Sequence, residues 1–344
     1  MAIPKFSKFN RPEVHRPGQI TDRDLDIVDA ILRYRFCSAA MLVRLAGGNE
    51  DVTHRRLRRL WERGLVARWA FPGFRTHSEF YYYLDNREPL DLLAERRHLE
   101  IHPQMLEETR SHREKDYAGA AVRGQHMQLG FLNHGLMISR MHFMVEMACR
   151  NSGSAVALEA WCQGGQIAGH KVDVPKIRSS KVGGEFFWQE IDETERVPVE
   201  PDALFTLRFT DRPQDRQLAH FFYEADRGTM VITDMLRKFR GYHHFVKKQQ
   251  RHKEAFGIHP VRAVLVETTD EARGKRLMEL VNHPLIAGPA KRAGLFWFTI
   301  SPLFIDLVEG SSLPHYLNKP ELVLDPIWAL PDRALRALAD SENS

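Results

Sequence analysis

Three cysteines in 344 residues, Cys37, Cys149 and Cys162, are too few and too scattered for a disulfide framework. None forms a Cys-x-x-Cys pair, which excludes a four-cysteine zinc site. Long apolar runs are also missing. Gly294–Ile300 is only strand-sized, whereas a membrane-spanning helix needs roughly 20 apolar residues. The start, Met1-Ala2-Ile3-Pro4-Lys5, lacks the apolar core of a secretory signal. A cytoplasmic protein with no membrane partner is therefore expected. An excess of one charge is lacking too: 49 Lys and Arg against 45 Asp and Glu leave a net charge of +4. So small an excess proves no nucleic-acid partner, and such a claim must rest on where the charges sit. No G-x-x-x-x-G-K-[ST] loop occurs, so ATP hydrolysis has no support.

What is present suffices for ordinary cores, with 43% hydrophobic and 27% charged residues. At about 150 residues per domain, the length predicts two domains. Residues 1–20, rich in Pro and basic groups, read as a flexible arm. Helical periodicity begins after the N-cap candidate Thr21, with Leu25, Val28, Ile31 and Leu32 on one face. A second helix fits Ser38–Ala46, and a third runs from about Val52 to Arg63 and stops at Gly64. Leu65–Phe71 and Phe80–Leu84 are β-prone runs around a turn-rich link. Three helices and a hairpin over 21–85 are the order of a winged helix-turn-helix. Residues 86–125 read as a charged helical connector.

A Met-rich helix over Leu129–Cys149 suits a core or a homodimer interface. A strand is expected at Val156–Trp161, followed by a charge-rich stretch to about 196 with no assigned element. Strands then fall at Val197–Phe209, Leu218–Asp226, Val261–Thr268 and Leu295–Ile300. Helices are expected over about Ile232–Lys253 and Asp270–Val281. Residues 126–330 thus read as a mixed-sheet α/β domain, with 331–344 as a tail, and the chain as α+β or α/β overall.

Two constellations carry chemistry. On the third helix, Leu57, Leu60 and Trp61 share one face, and Arg55, Arg58, Arg59 and Glu62 project opposite, flanked by Arg56 and Arg63. An apolar stripe backing a row of guanidiniums suits a recognition helix on double-stranded DNA. Arg68, Arg75 and His77 in the hairpin would add backbone contacts. A solvated helix with Glu62 neutralising Arg58 is the plain alternative, and position ahead of an aromatic hairpin favours DNA.

The second constellation is acidic. Asp202 precedes the strand Ala203–Leu207, and strand alternation puts Glu224 and Asp226 on one face. If the two strands pair, Asp202 approaches Glu224. Converging carboxylates suit Mg²⁺ or Mn²⁺, with Asp202, Glu224 and Asp226 as ligands and water activation as the chemistry. Without a metal, these buried acids need a basic neighbour such as Arg227 or a helix arginine. The arrangement resembles the core of PD-(D/E)XK nucleases, with Asp202 and Glu224 in the acidic positions and Glu159 as a weak match to an upstream acid. Asp226 stands where that motif has lysine. The resemblance implies a catalytic lysine from the next helix, with Lys238 the candidate and an ordinary solvated helix lysine the plainer identity for it. His243-His244 and the spaced His126, His134 and His142 make no convincing zinc set.

The combined order is similar to the replication-relaxation family of plasmids and other mobile elements. The pieces that carry the resemblance are Asp26–Leu32, Arg55–Leu60 with Gly64-Leu65-Val66, Tyr81–Leu84, His134–Ile138, Pro201-Asp202, Tyr223–Thr229 and Lys238–Tyr242. The resemblance implies a DNA-binding protein acting in replication, mobilisation or DNA relaxation; it does not by itself establish strand cleavage, and metal-dependent nicking is the activity that the nuclease-like acids would add. The alternative is a transcriptional regulator whose degenerate nuclease-like domain binds DNA or dimerises. A protein–protein adaptor that keeps the winged fold without DNA is the third reading.

Overall fold

A computed structural model describes residues 18–70, 80–115, 126–183, 185–288, 293–300, 317 and 319–339. Arg75 and His77 lie outside the described residues. The chain is mixed α and β and divides into two compact units, one within Met1–Phe143 and one within Met144–Leu307 and Pro314–Ser344. The boundary falls inside a single helix, His126–Asn151.

The first unit opens with α1 (Asp22–Tyr34), β1 (Cys37–Ser38), α2 (Ala39–Ala46) and α3 (Glu50–Glu62). Caps explain the starts. Thr21 N–H donates to Asp24 Oδ2 at 2.9 Å, Ser38 Oγ accepts from Met41 N–H, and Asn49 Oδ1 accepts from Val52 N–H. The Asn49 cap starts α3 two residues earlier than its apolar pattern suggests. Leu25, Val28, Ile31, Met41, Leu42, Leu57, Leu60 and Trp61 are all buried, as their spacing predicts, whereas Leu32 is half-buried. The hairpin β2 (Ala67–Ala70) and β3 (Phe80–Tyr83) gains a third strand, because β1 pairs with β3 at Cys37↔Tyr82. Two residues of strand carry no period-two signal, so β1 escaped the sequence reading. Helices α4 (Glu88–Arg97) and α5 (Pro103–Lys115) follow, then α6 (His126–Asn151). Within the first unit, α6 passes so near Phe36 that a Cβ at Gly135 would lie 2.6 Å from its ring.

The second unit is built on a seven-stranded sheet. It comprises β4 (Val156–Gln163), β7 (Ala203–Phe209), β8 (Leu218–Ala225), β9 (Val261–Thr268), β10 (Phe296–Ile300), β11 (Trp328–Ala329) and β12 (Leu335–Arg336). The order is β12-β11-β10-β9-β8-β7-β4, with β8–β9 and β9–β10 parallel and the other pairs antiparallel. Parallel neighbours require crossovers. These are α7 (Ile232–His243) with α8 (His252–Phe256) between β8 and β9, and α9 (Glu271–Val281) between β9 and β10. One helix was expected over Ile232–Lys253, but a π-turn at His244–Lys248 breaks it.

The charge-rich stretch left without structure is a long hairpin, β5 (Lys171–Val182) and β6 (Glu185–Pro198). Its strands carry many charged residues on the outer face and, among the described side chains, bury Val172, Val174, Ile177 and Val197, so hydropathy hid them. Those four join Leu204, Phe222, Met235, Leu236, Phe239, Tyr242, Val264, Val266, Phe296 and Phe298 in one core. Helix α7 reaches this hairpin through Gly241, where a Cβ would stand 2.9 Å from Val197 Cγ1. Gly241→Val is expected to cost about 1–3 kcal/mol by overpacking, read as a lower denaturant midpoint at unchanged slope. An unaltered midpoint would show that the helix and hairpin yield freely.

Candidate functional site

On α3 the arginines part company. Arg55 and Arg59 are exposed, and no ion pair holds either among the described residues. Arg58 is largely exposed but ties to Glu62 at 2.9 Å. Arg56 turns back to α1, where its Nη1 donates to Thr21 Oγ1 at 2.7 Å and to both Asp24 oxygens at 3.0 Å. Arg63 donates to the Gly18 carbonyl. Arg68 lies over the Trp61 ring at 3.5 Å and the Phe80 ring at 4.3 Å, and burial lowers its pKa. Arg56 and Arg68, both expected at the DNA face, are therefore engaged inside the unit, the first with a buried carboxylate and the second with aromatic faces. Arg55 and Arg59, with Arg58 beside them, form the open basic edge.

The acidic constellation gathers at the ends of β7 and β8. These strands pair with Ala203 opposite Tyr223, so Asp202 and Glu224 follow as neighbours one step further. Asp202 N–H donates to the Tyr223 carbonyl at 3.0 Å, and Asp202 Oδ2 accepts from Ala225 N–H at 2.8 Å. Glu224 is only 3% exposed and points, with Phe222, toward α7. There Lys238 Nζ meets Glu224 Oε2, and the Tyr242 hydroxyl donates to Oε1. Burial pushes the Glu224 carboxyl up to about 7; the Lys238 charge opposes that rise and the Asp202 charge adds to it. Burial works against the Lys238 ammonium, but the charges of Glu224 and Asp202 outweigh it and hold its pKa above the ordinary value. Tyr242, fully buried, has its pKa raised by burial and then by the Glu224 charge. Lys238 and Tyr242 are one helical turn apart on α7, so one face of that helix presents both to one carboxylate.

Asp226 has a different fate. Arg273 grips it with two hydrogen bonds, Nε to Oδ2 at 2.9 Å and Nη2 to Oδ1 at 3.1 Å. Thr268 Oγ1 donates to Oδ2 at 2.8 Å and Gly228 N–H to Oδ1 at 3.1 Å. Arg273 Nη2 also donates to the Met230 carbonyl, which closes the Arg227–Met230 turn. Gly228 sits in that turn at φ +71°, where a side chain would be strained. Asp226 thus serves a buried ion pair, and its expected role as a third metal ligand gives way to Arg273. Glu159, the weak match to an upstream acid, is paired with Arg208 at 2.7 and 2.8 Å on the half-exposed β4–β7 edge.

The expected helix-arginine partner is Arg273, which the sequence did not single out, and the role of Tyr242 was not read from it. Tyr242 carried a signal, its four-residue spacing from Lys238. Arg273 sits at the third position of α9, whose cap Asp270 accepts from Arg273 N–H at 2.8 Å, a position legible only once the sheet is assembled.

Mg²⁺ or Mn²⁺ needs carboxylate oxygens open to it. Both Glu224 oxygens are engaged, one by an ammonium and one by a phenol. Among the described residues no three His, Cys, Asp or Glu side chains form a metal-holding group. The arrangement as it stands is a carboxylate engaged by an ammonium and a phenol, and it does not fit a divalent cation. The histidines stay apart from it: His142 stacks on Tyr34 at 4.1 Å, and burial pushes His243 down to about 4.

No described helix is long and apolar enough to cross a membrane. A family model described as replication-relaxation matches residues 30–261, more than half of the chain and parts of both units. No curated protein and no solved structure matches the chain.

Proposed function

The chain belongs to the replication-relaxation family, and on that premise we propose that it binds double-stranded DNA during replication or relaxation of a plasmid or other mobile element. The observation that carries this reading is the exposed Arg55–Arg58–Arg59 edge of α3, backed by a buried Leu57–Leu60–Trp61 stripe. A helix docked on two others ahead of an aromatic hairpin is the frame of a winged helix-turn-helix, in which the third helix enters the major groove. Arg56 fixes the angle of that helix through Asp24, and Arg68 fixes the hairpin against Trp61.

In this reading the second unit is a PD-(D/E)XK-like platform whose acidic site is self-neutralised. Lys238 satisfies Glu224, and Asp202 is braced by a backbone N–H. A self-neutralised cluster leaves the platform to hold or position DNA without cutting it. One observation favours a second reading, cleavage: Asp202, Glu224 and a helix lysine gather at the ends of two neighbouring strands, as a nuclease requires. For that chemistry a divalent cation would have to displace Lys238 from Glu224.

Binding of a labelled duplex over a salt series tests the first reading. Arg55→Ala with Arg59→Ala should lower affinity and flatten the slope of log K against log salt by about 1.8, near 0.9 for each lost phosphate contact. An unchanged slope in a folded double variant would remove α3 from the interface. Incubation of supercoiled plasmid with Mg²⁺ or Mn²⁺ tests the second. No nicking supports the platform reading, whereas nicking lost in Glu224→Gln supports cleavage.

A further inference from the structure

We infer that the second unit carries its own phosphate pocket, beside the start of β5, that takes the backbone of a DNA strand; this rests on the reading of the chain as a DNA-binding protein. The pocket is an open cavity of about 360 Å³ lined by His170, Lys171, Arg196, Phe245, Arg251 and Glu254 among others. Three permanent cations face one carboxylate, so its field favours an anion.

The contrast with the rest of this segment is what singles the pocket out. On α7 every cation is matched: Arg237 lies near Glu195 at 3.9 Å, Lys238 meets Glu224, and Arg240, wholly buried, meets Glu190 at 2.7 Å. At the pocket that matching stops. Lys171 Nζ and the Arg251 guanidinium have no ion pair among the described residues. Arg251 Nη1 makes one hydrogen bond, to the Lys171 carbonyl at 3.3 Å. Arg196 is paired with Asp173 at 3.3 Å, but its side chain is 75% exposed, so water screens that bond.

The frame beneath these cations is hydrogen-bonded. Lys171 pairs with Pro198 in the hairpin, Val199 N–H donates to the His170 carbonyl at 2.9 Å, and Gln249 Nε2 donates to the Asp173 carbonyl at 2.7 Å. Phe245 is 1% exposed and forms an apolar floor, while the His170 ring stands edge-on to Phe256 at 4.5 Å. Lys171, Arg196 and Arg251 are exposed around this floor, so they are open to charge-assisted hydrogen bonds from phosphate oxygens. Lys247, Lys248 and Lys253, all exposed, flank the pocket along the chain. A polyanion engages such flanking charges, whereas a single phosphate does not, which selects a strand over a free nucleotide.

The test uses the full chain with labelled duplex and with the matching single strand, each over a salt series. Lys171→Ser with Arg251→Ser should flatten the duplex slope by about 1.8 and the single-strand slope by about 1.4. Lys171→Arg with Arg251→Lys should keep the wild-type slopes, which separates lost charge from lost fold, and a single Arg251→Gln variant should show half the effect. The loss should add to that of the Arg55→Ala, Arg59→Ala variant. If the α3 variant keeps its slope and the pocket variant loses it, the recognition-helix reading fails and this inference stands. Unchanged slopes in the pocket variants overturn it. Equally, binding of inorganic phosphate or a mononucleotide that these variants abolish, with DNA slopes intact, overturns the assignment to a DNA strand.

Discussion

Arg273→Ala is expected to lower the unfolding free energy of the second unit by about 3–5 kcal/mol, the range for removing one partner of a buried ion pair. The reason is local. Asp226 and Arg273 are 7% and 8% exposed, and the guanidinium supplies two of the four hydrogen bonds that the carboxylate accepts. Alanine leaves the carboxylate with Thr268 and the Gly228 N–H alone, and frees the Met230 carbonyl. Urea unfolding followed by a probe specific to the second unit reads the loss, because two units need not melt together. The Asp226→Leu, Arg273→Leu double variant should recover most of the stability, since apolar groups of similar volume replace a buried pair at little net cost. A single variant costing less than about 1 kcal/mol would show that water reaches this pair.

The second large effect is a pH dependence traced to Glu224. Its carboxyl titrates near 7 in the folded chain against an ordinary 4.5. Between those values the folded state keeps a proton that the unfolded state has lost. Stability from this group is therefore fully present below about pH 4.5 and is lost as pH rises through 7. At 1.36 kcal/mol per unit, the stability difference between wild type and Glu224→Gln should fall by about 3 kcal/mol across that window. His243, pushed down to about 4, contributes a slope of opposite sign, and comparison with the glutamine variant cancels it. Lys238 stays charged throughout the window, since its pKa is raised. A difference that is flat from pH 4.5 to 8 would mean that Glu224 titrates as an ordinary surface acid.

Much of the fold is legible in local pattern. The helices of the first unit announce themselves through Thr21, Ser38 and Gly64 and through apolar residues at helical spacing, and strands β7 to β10 through β-branched and aromatic runs. These signals survive in one dimension because caps and amphipathic stripes involve residues only three or four apart. The pairing of Asp202 with Glu224 was also within reach, because a turn-rich link between two adjacent strands leaves a hairpin as the simplest arrangement. The β5–β6 hairpin was not. Most of its solvent-facing residues are charged or polar, and only its contact with α7 shows which valines are inside.

Composition and periodicity therefore determined the element order, the basic face of α3 and the acidic residues at the end of β8. Tertiary structure decided what those charges do. Arg55 and Arg56 are adjacent letters of one type, yet one faces solvent and the other Asp24, because a 100° step carries the second to the flank that α1 covers. Glu224 and Asp226 share a strand face, yet one meets Lys238 of α7 and the other Arg273 of α9, because the two crossover helices lie along different lengths of that face. Charge sign is written in the sequence. Whether a charge is spent inside the protein or offered to a partner depends on which residues, tens of positions away, folding brings to within 3 Å of it.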